Sequence, residues 1–262
     1  MHWHPSPYIF KTEAFSLRWY GVLFALGFAL GYSIFKKLAA KEDVNLSKVD
    51  SLLFLCIVLS LLTSRLVHVF FYDFGYYSKH PDEILKIWEG GLASHGGGIG
   101  LIIAVLIWSK YIYTCNPLKI IDLMTISAMF AGGCIRLGNF MNSEILGKPT
   151  DSFLGIVFDL RDPLPRYPAQ LIESIVIFAA TYVLYLAYKK GALKYPLRMT
   201  GLFLVLAFVP RFFIEFIKEN QESSSLGFAI NMGQILSIPY VIIGSILFYL
   251  SNKPFVIKKL QR

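Results

Sequence analysis

The chain has 262 residues, 55% of them hydrophobic and only 16% charged, with a mean hydropathy of +0.56. Soluble domains carry roughly 25% charge, so this composition excludes an ordinary soluble enzyme, a disordered chain, a coiled coil and a collagen. The net charge of +8 lies in short gaps between apolar runs, a pattern that reports membrane topology rather than a nucleic-acid surface.

A bilayer core about 30 Å thick takes roughly 20 helical residues. Met1 to Phe15 lacks the basic start and small-residue cleavage site of a signal peptide, so the first apolar run is expected to remain as a membrane helix. Seven spans are expected: Leu17–Phe35, Leu52–Phe71, Leu92–Tyr113, Leu118–Phe140, Gln170–Tyr188, Met199–Ile217 and Met232–Leu250. The expected fold is therefore all-α, a polytopic membrane protein forming one membrane-embedded domain over 1–262. Between spans four and five, 141–169 reads as a small folded element, with Phe153–Phe158 as a short strand. Cys56, Cys115 and Cys134 show neither metal-ligand spacing nor a disulfide pattern and read as packing residues.

Charge alternates from gap to gap. Lys36, Lys37, Lys41 and Lys48 fill the first, whereas Asp73, Asp82, Glu83 and Glu89 outweigh Lys79 and Lys86 in the second. The third holds Lys110 and Lys119. The fourth sets Asp151, Asp159 and Asp162 against Lys148, Arg161 and Arg166. The fifth carries Lys189, Lys190, Lys194 and Arg198. Lys218 stands with Glu219 and Glu222 in the sixth, and the tail adds Lys253, Lys258, Lys259 and Arg262. The positive-inside rule then puts the N-terminus outside and the C-terminus in the cytoplasm, as an odd number of spans requires.

Ionisable side chains inside spans are costly and are functional candidates by default. They are Arg65, His68, His95, Arg136, Glu173, Arg211 and Glu215, and with this orientation all seven fall in the outer half of the membrane. One polar cavity facing the outer leaflet accounts for that grouping better than scattered ion pairs do. Individual alternatives stay open. Arg65 and His68 share a helix face and also read as a snorkelling pair. Arg211 and Glu215, four apart, also read as a structural ion pair. His95 sits in Ser94-His95-Gly96-Gly97-Gly98-Ile99-Gly100, where glycines permit close approach of a helix or a ligand. Arg136 to Glu144 collects an arginine, two asparagines and a glutamate, more than a helix end needs. Interior arginines at headgroup depth suit a phosphate-bearing lipid. The residues alone leave an enzyme, a transporter or flippase of an anionic lipid, and a membrane binding protein as readings.

Arg136 to Gly147 resembles the signature of the phosphatidylglycerol–prolipoprotein diacylglyceryl transferases of bacterial inner membranes, with Ile135 replacing its first glycine. Arg18-Trp19-Tyr20-Gly21, His95-Gly96-Gly97, Tyr167-Pro168-Ala169-Gln170-Leu171-Ile172-Glu173, Arg211-Phe212 with Glu215-Phe216, and Asn231-Met232-Gly233-Gln234 resemble further motifs of that family in the same order. Lys218 takes the basic position after Glu215, and Glu219-Asn220-Gln221 departs from the usual ending. The resemblance implies transfer of the diacylglyceryl group of phosphatidylglycerol to the lipobox cysteine thiol of a prolipoprotein signal peptide. It implies His95 as thiol base, with Glu173 or Glu215 as alternatives, and Arg136 and Arg211 as stabilisers of the leaving phosphate. Asn139, Asn142, Glu144, Tyr20, Gly96, Gly97 and Gln234 are then expected at the lipid headgroup. A monomer is expected, with no cofactor, no metal and no nucleic-acid partner.

Overall fold

The computed structural model describes residues 1–13, 15–87, 90–219 and 231–253, Ser94 by its backbone. Glu89, Asn220, Gln221, Glu222 and the tail residues Lys258, Lys259 and Arg262 lie outside the described residues. The helices are α1 (Trp19–Lys41), α2 (Leu46–Val67), α3 (Phe74–Tyr77), α4 (Ser94–Ile107), α5 (Pro117–Met141), α6 (Ala169–Lys189), α7 (Arg198–Ile214) and α8 (Met232–Leu250). α2 and α4 each run on into a turn of π-helix, His68–Tyr72 and Trp108–Ile112.

Six of these helices are long and apolar enough to cross a membrane, so the chain is a polytopic helical membrane protein. The remaining expected span, Met199–Ile217, is α7, whose 17 residues reach only about 25 Å at 1.5 Å per residue. It stops at Ile214, three residues before the expected end. There the chain tightens into a turn and the backbone of Lys218 pairs with Gly147. The expected start of α1 also shifts, from Leu17 to Trp19, because Ser16–Arg18 forms a strand. Apolar side chains lie open along the helices, Phe24, Phe28, Phe54, Ile57, Ile242 and Phe248 among them. Lipid tails solvate such faces, and water does not.

Lys36–Ile121 forms one compact unit, and Met1–Phe35 with Asp122–Arg262 the other. In the first, α4 lies against α2. A Cβ on Gly96 would fall 2.4 Å from the Thr63 carbonyl oxygen, and one on Gly100 2.5 Å from that of Leu59. Thr63 Oγ1 donates to the Gly96 carbonyl at 2.6 Å across the same seam. Small residues four apart thus let two membrane helices touch backbone to backbone.

Arg65, 2% exposed, serves as a clasp in this unit. Its Nε donates to the Ile84 carbonyl, Nη1 to those of Gly90 and Gly91, and Nη2 to that of Glu83. The guanidinium also faces the Tyr77 ring, which His68 meets edge-on. Arg65 is therefore neither snorkelling nor waiting for an anion. It spends its donors on the chain that leads back into α4.

The second unit holds α5 to α8, the first part of α1 and the strands. β1 (His2–Trp3) runs parallel to β4 (Ile156–Phe158), which pairs antiparallel with β5 (Pro165–Arg166). β2 (Tyr8–Lys11) and β3 (Ser16–Arg18) make a hairpin just before α1. The expected strand at Phe153–Phe158 shortens to β4, with Phe153 left exposed. Phe140, Leu146, Ile156 and Phe158 form a core for 141–169, packed by Trp3 and Leu171. Asp122, at the far end of α5 from Arg136, takes the start of α7 in trans. Its Oδ1 accepts from Thr200 N at 2.8 Å and from Thr200 Oγ1. A helix N-terminus has unsatisfied N–H donors, and here the acceptor comes from another helix.

Candidate active site

Arg136 lies one turn before the end of α5, and α6 opens directly after the 141–169 element. That arrangement sets Arg136 Nε 3.1 Å from Glu173 Oε2. The contact is an ion pair without hydrogen-bond alignment, so Glu173 Oε2 is still without a hydrogen-bonded partner. Arg136 Nη1 reaches Asn139 Oδ1, three residues on, at 3.5 Å.

The other Glu173 oxygen, Oε1, lies 3.4 Å from Lys218 Nζ, and Lys218 Nζ lies 2.7 Å from Glu215 Oε1. Glu215 Oε2 accepts from Asn231 Nδ2 at 3.3 Å. Arg136, Glu173, Lys218, Glu215 and Asn231 thus form a continuous chain of alternating charge ending in an amide, built from α5, α6, the turn after α7 and the start of α8. Glu173, Glu215 and Lys218 are all buried. Buried charges persist only when paired, and these are.

The turn after α5 carries the remaining polar groups. Asn142 Nδ2 donates to Glu144 Oε1 at 3.1 Å, and Gln170 Nε2 to the Glu144 carbonyl at 2.6 Å. Ser143 and Ile145, on either side of Glu144, adopt left-handed φ of 53° and 58°. For β-branched Ile145 this is strained backbone, of the kind that clusters at functional sites. Tyr20 joins from α1. Its ring lies where a Cβ on Gly138 would be 3.1 Å from Cδ2, and the charges of Glu144 and Arg136 both act on its hydroxyl. Among the described residues, seven buried side-chain polar atoms have no hydrogen-bond partner, and four belong to Asn142, Ser143, Gln170 and Glu173. Unsatisfied polar atoms this concentrated mark a place built to meet something polar.

Outside the spans, Arg166 ties this turn down. It forks onto Asp162 with Nε and Nη2, donates from Nη1 to the Gly147 carbonyl at 3.2 Å, and pairs with Glu219. The hydrogen bonds from Arg166 hold the Asp162 carboxyl below the usual carboxylate range, and Asp162 in turn pushes the Arg166 guanidinium up.

Several expectations need correction. Arg211 and Glu215 do not pair. Glu215 is taken by Lys218 and Asn231, and half-buried Arg211 has no ion pair among the described residues. Gln234 belongs to the capping box of α8. Its Oε1 accepts from Asn231 N at 2.9 Å and its Nε2 donates to the Phe212 carbonyl, so its polar groups are committed to the fold. Gly96 is buried against α2, as above, and is packing rather than headgroup contact. Gly97 is half-buried, its carbonyl accepting from Ser60 Oγ at 3.2 Å. Glu173 has a cation on each oxygen, Arg136 on Oε2 and Lys218 on Oε1. His95 belongs to the other unit, where it is exposed in the first turn of α4.

Sequence reading missed Lys218 as a site residue, although its i+3 spacing from Glu215 was there to see. It also missed Gln170 and Asp122, whose partners are far away in the chain, and Arg166, which joins nearby Asp162 to the more distant Gly147 and Glu219.

The family model described as prolipoprotein diacylglyceryl transferase matches residues 7–250. A phosphatidylglycerol–prolipoprotein diacylglyceryl transferase of Tolumonas auensis is 40% identical over 253 residues, covering 97% of this chain and 98% of the relative. Proteins of the same name from Chloroherpeton thalassium and Bacteroides fragilis are 40% and 37% identical, each covering 98% of this chain and 96% and 98% of their own. The polar chain through Arg136 and the strained turn at Glu144 fall within this match, and the chain belongs to the prolipoprotein diacylglyceryl transferase family.

Proposed function

We propose that the chain transfers the diacylglyceryl group of phosphatidylglycerol to the lipobox cysteine of a prolipoprotein, in the inner membrane, as a single polypeptide. The sulfur loses its proton to a base and forms a bond to the terminal glycerol carbon of the diacylglyceryl unit. The carbon–oxygen bond to phosphate breaks, and glycerol phosphate leaves with the electron pair. A thioether results. A free thiol has a pKa of about 8.5, so a base is needed, and His95 is the proposed one. Negative charge gathers on the leaving phosphate, where fixed cations in a water-poor site act most strongly.

The observation that carries this reading is Arg136. Glu173 holds it at Nε and Asn139 Oδ1 accepts one Nη1 hydrogen, which leaves Nη2 and the second Nη1 hydrogen to meet a phosphate. Asn139, Asn142, Glu144 and Tyr20 surround it as headgroup ligands, and Arg211 supplies a second cation.

Seven spans, with the active side toward the outer leaflet, fit the pairing of the chain around 141–169. β1 pairs with β4, which supports placing the N-terminus on the side of that element. Glu219 N donates to the Leu146 carbonyl, so α6 leaves the element and α7 returns to it. A crossing by α6 therefore requires a crossing by α7, short as it is.

The test mixes purified protein with phosphatidylglycerol and a lipobox peptide carrying one cysteine or, as control, serine. A diacylglyceryl mass gain on the cysteine peptide alone, with glycerol phosphate released, is expected. Folded, lipid-supplied protein that leaves the cysteine peptide unchanged would overturn the proposal.

A further inference from the structure

The group with no role in the scheme above is Lys218. The residue is 6% exposed, and its ammonium is held between Glu215 Oε1 at 2.7 Å and Glu173 Oε1 at 3.4 Å. Its backbone performs a separate task. The bridge to Gly147, with Lys148 N donating to the Ile217 carbonyl at 2.8 Å, ties the turn after α7 to the turn after α5. Backbone pairing needs no particular side chain, so the buried ammonium requires its own reason.

Charge counting supplies one. Of the two buried carboxylates, Glu173 touches Arg136, the cation that the reaction needs, and Lys218 lies between Glu173 and Glu215. Without Lys218, Glu173 has Arg136 as its sole ionic partner, since Glu173 forms no other ion pair among the described residues. A guanidinium beside an otherwise uncompensated buried carboxylate turns its fork to that carboxylate, because a bidentate pair is the strongest arrangement open to it. Arg136 would then present one edge fewer to a lipid. With Lys218 on Oε1, Glu173 asks only for the Nε edge of Arg136, as observed.

We propose that Lys218 is a positioning residue. It neutralises Glu173 so that Arg136 keeps Nη2 and the second Nη1 hydrogen for the phosphate of the diacyl lipid. The proposal rests on the reading of Arg136 as the phosphate ligand.

The test is a double-mutant cycle on the full chain in lipid nanodiscs, with KM for phosphatidylglycerol and kcat measured separately. Thermal unfolding reports the folded fraction, and Arg136→Lys is run in parallel. Lys218→Met is expected to raise KM for phosphatidylglycerol about tenfold, as a lost or redirected charge-assisted contact does. Lys218→Arg, which keeps the charge, is expected to stay within about threefold of the parent. Glu173→Gln with Lys218→Met, which removes the carboxylate together with its neutraliser, is expected to have a lower KM than Lys218→Met alone. A purely structural role lowers the melting temperature and the yield while leaving KM in the folded fraction unmoved, and that result overturns the proposal. So does a double variant whose KM is the product of the two single effects. If Lys218→Met does not fold, the charge-balanced double variant decides, since a KM above about threefold of that of Glu173→Gln alone shows that Lys218 acts by another route. An Arg136→Lys variant with unchanged kcat and KM overturns the underlying reading. A raised KM there, with an unchanged one in Lys218→Met, overturns this inference by itself.

Discussion

Arg136 and Arg65 look alike in the sequence, each an arginine near the end of an apolar span, yet the structure gives them different surroundings. Arg65 spends its donors on four backbone carbonyls, whereas Arg136 is gripped along one edge. Lysine can replace the charge of either and the fork of neither. Arg136→Lys is expected to lower kcat/KM for phosphatidylglycerol transfer by about 100-fold with little change in melting temperature, since a stabilising donor pair at a developing charge is worth roughly 3 kcal/mol. Arg65→Lys is expected to do the reverse in emphasis, lowering the melting temperature first because buried carbonyls lose their donors. Transfer kinetics and thermal unfolding of both variants check the pair. A sequence cannot separate them, because the distinction lies in what surrounds each guanidinium. Glu83, Ile84, Gly90 and Gly91 approach Arg65 from about 20 residues downstream.

The elements were legible to different degrees, for reasons of pattern. Long apolar runs specify membrane helices almost by length alone, so six of the expected spans reappear within a few residues. The short strands β1, β2 and β3 did not, since two to four residues carry no periodicity and depend on partners elsewhere. The glycines at 96 and 100 were legible as a device for close approach but not as to what approaches, and the partner is α2. Gly100→Ala puts a methyl group 2.4 Å from Thr63 Oγ1 and 2.5 Å from a backbone oxygen that cannot move aside. It is expected to cost about 1–3 kcal/mol of stability, as overpacking does. Gly98→Ala, with nothing within 4 Å of the new Cβ, is expected to be neutral or slightly favourable in the same unfolding assay.

In the 141–169 element the Arg166 fork sets a pH dependence. The Asp162 carboxyl is held below its usual range in the folded protein, so the folded state binds that proton less readily than the unfolded chain. Stability from this pair is present above the unfolded value of about 3.9 and is lost as pH falls through the lower folded value. The melting temperature of Asp162→Asn is thus expected to lie below that of the parent at pH 7. The gap is expected to narrow once pH drops below about 4. A gap that stays constant across that range would remove Asp162 ionisation as its cause.

At the scale of the whole molecule, orientation turns on α7, the helix that falls short of the six apolar spans. Two independent features bear on α7. Its composition and neighbours place Lys189, Lys190, Lys194 and Arg198 in the connection from α6, and basic connections stay in the cytoplasm. Its far end returns by hydrogen bonds to the element that follows α5, where Asp151, Asp159 and Asp162 offset Lys148, Arg161 and Arg166. On the proposed seven-span topology this helix, with its start in a basic connection and its end on that element, is expected to cross between the two sides even at about 25 Å, because the bilayer thins or the ends snorkel at modest cost. Asn231 then opens α8 beside Glu215, on the side of that element, and α8 carries the chain back. A fluorescent reporter that matures only in the cytoplasm is expected to glow when fused after Lys253. An alkaline phosphatase fused after Phe153, in the exposed part of the 141–169 element, is expected to be active. If α7 merely dipped into the membrane and returned on the side where it began, the tail and the 141–169 element would report the same side. Opposite reports from the two fusions therefore test the crossing of α7 directly, and matching reports would replace seven spans by six.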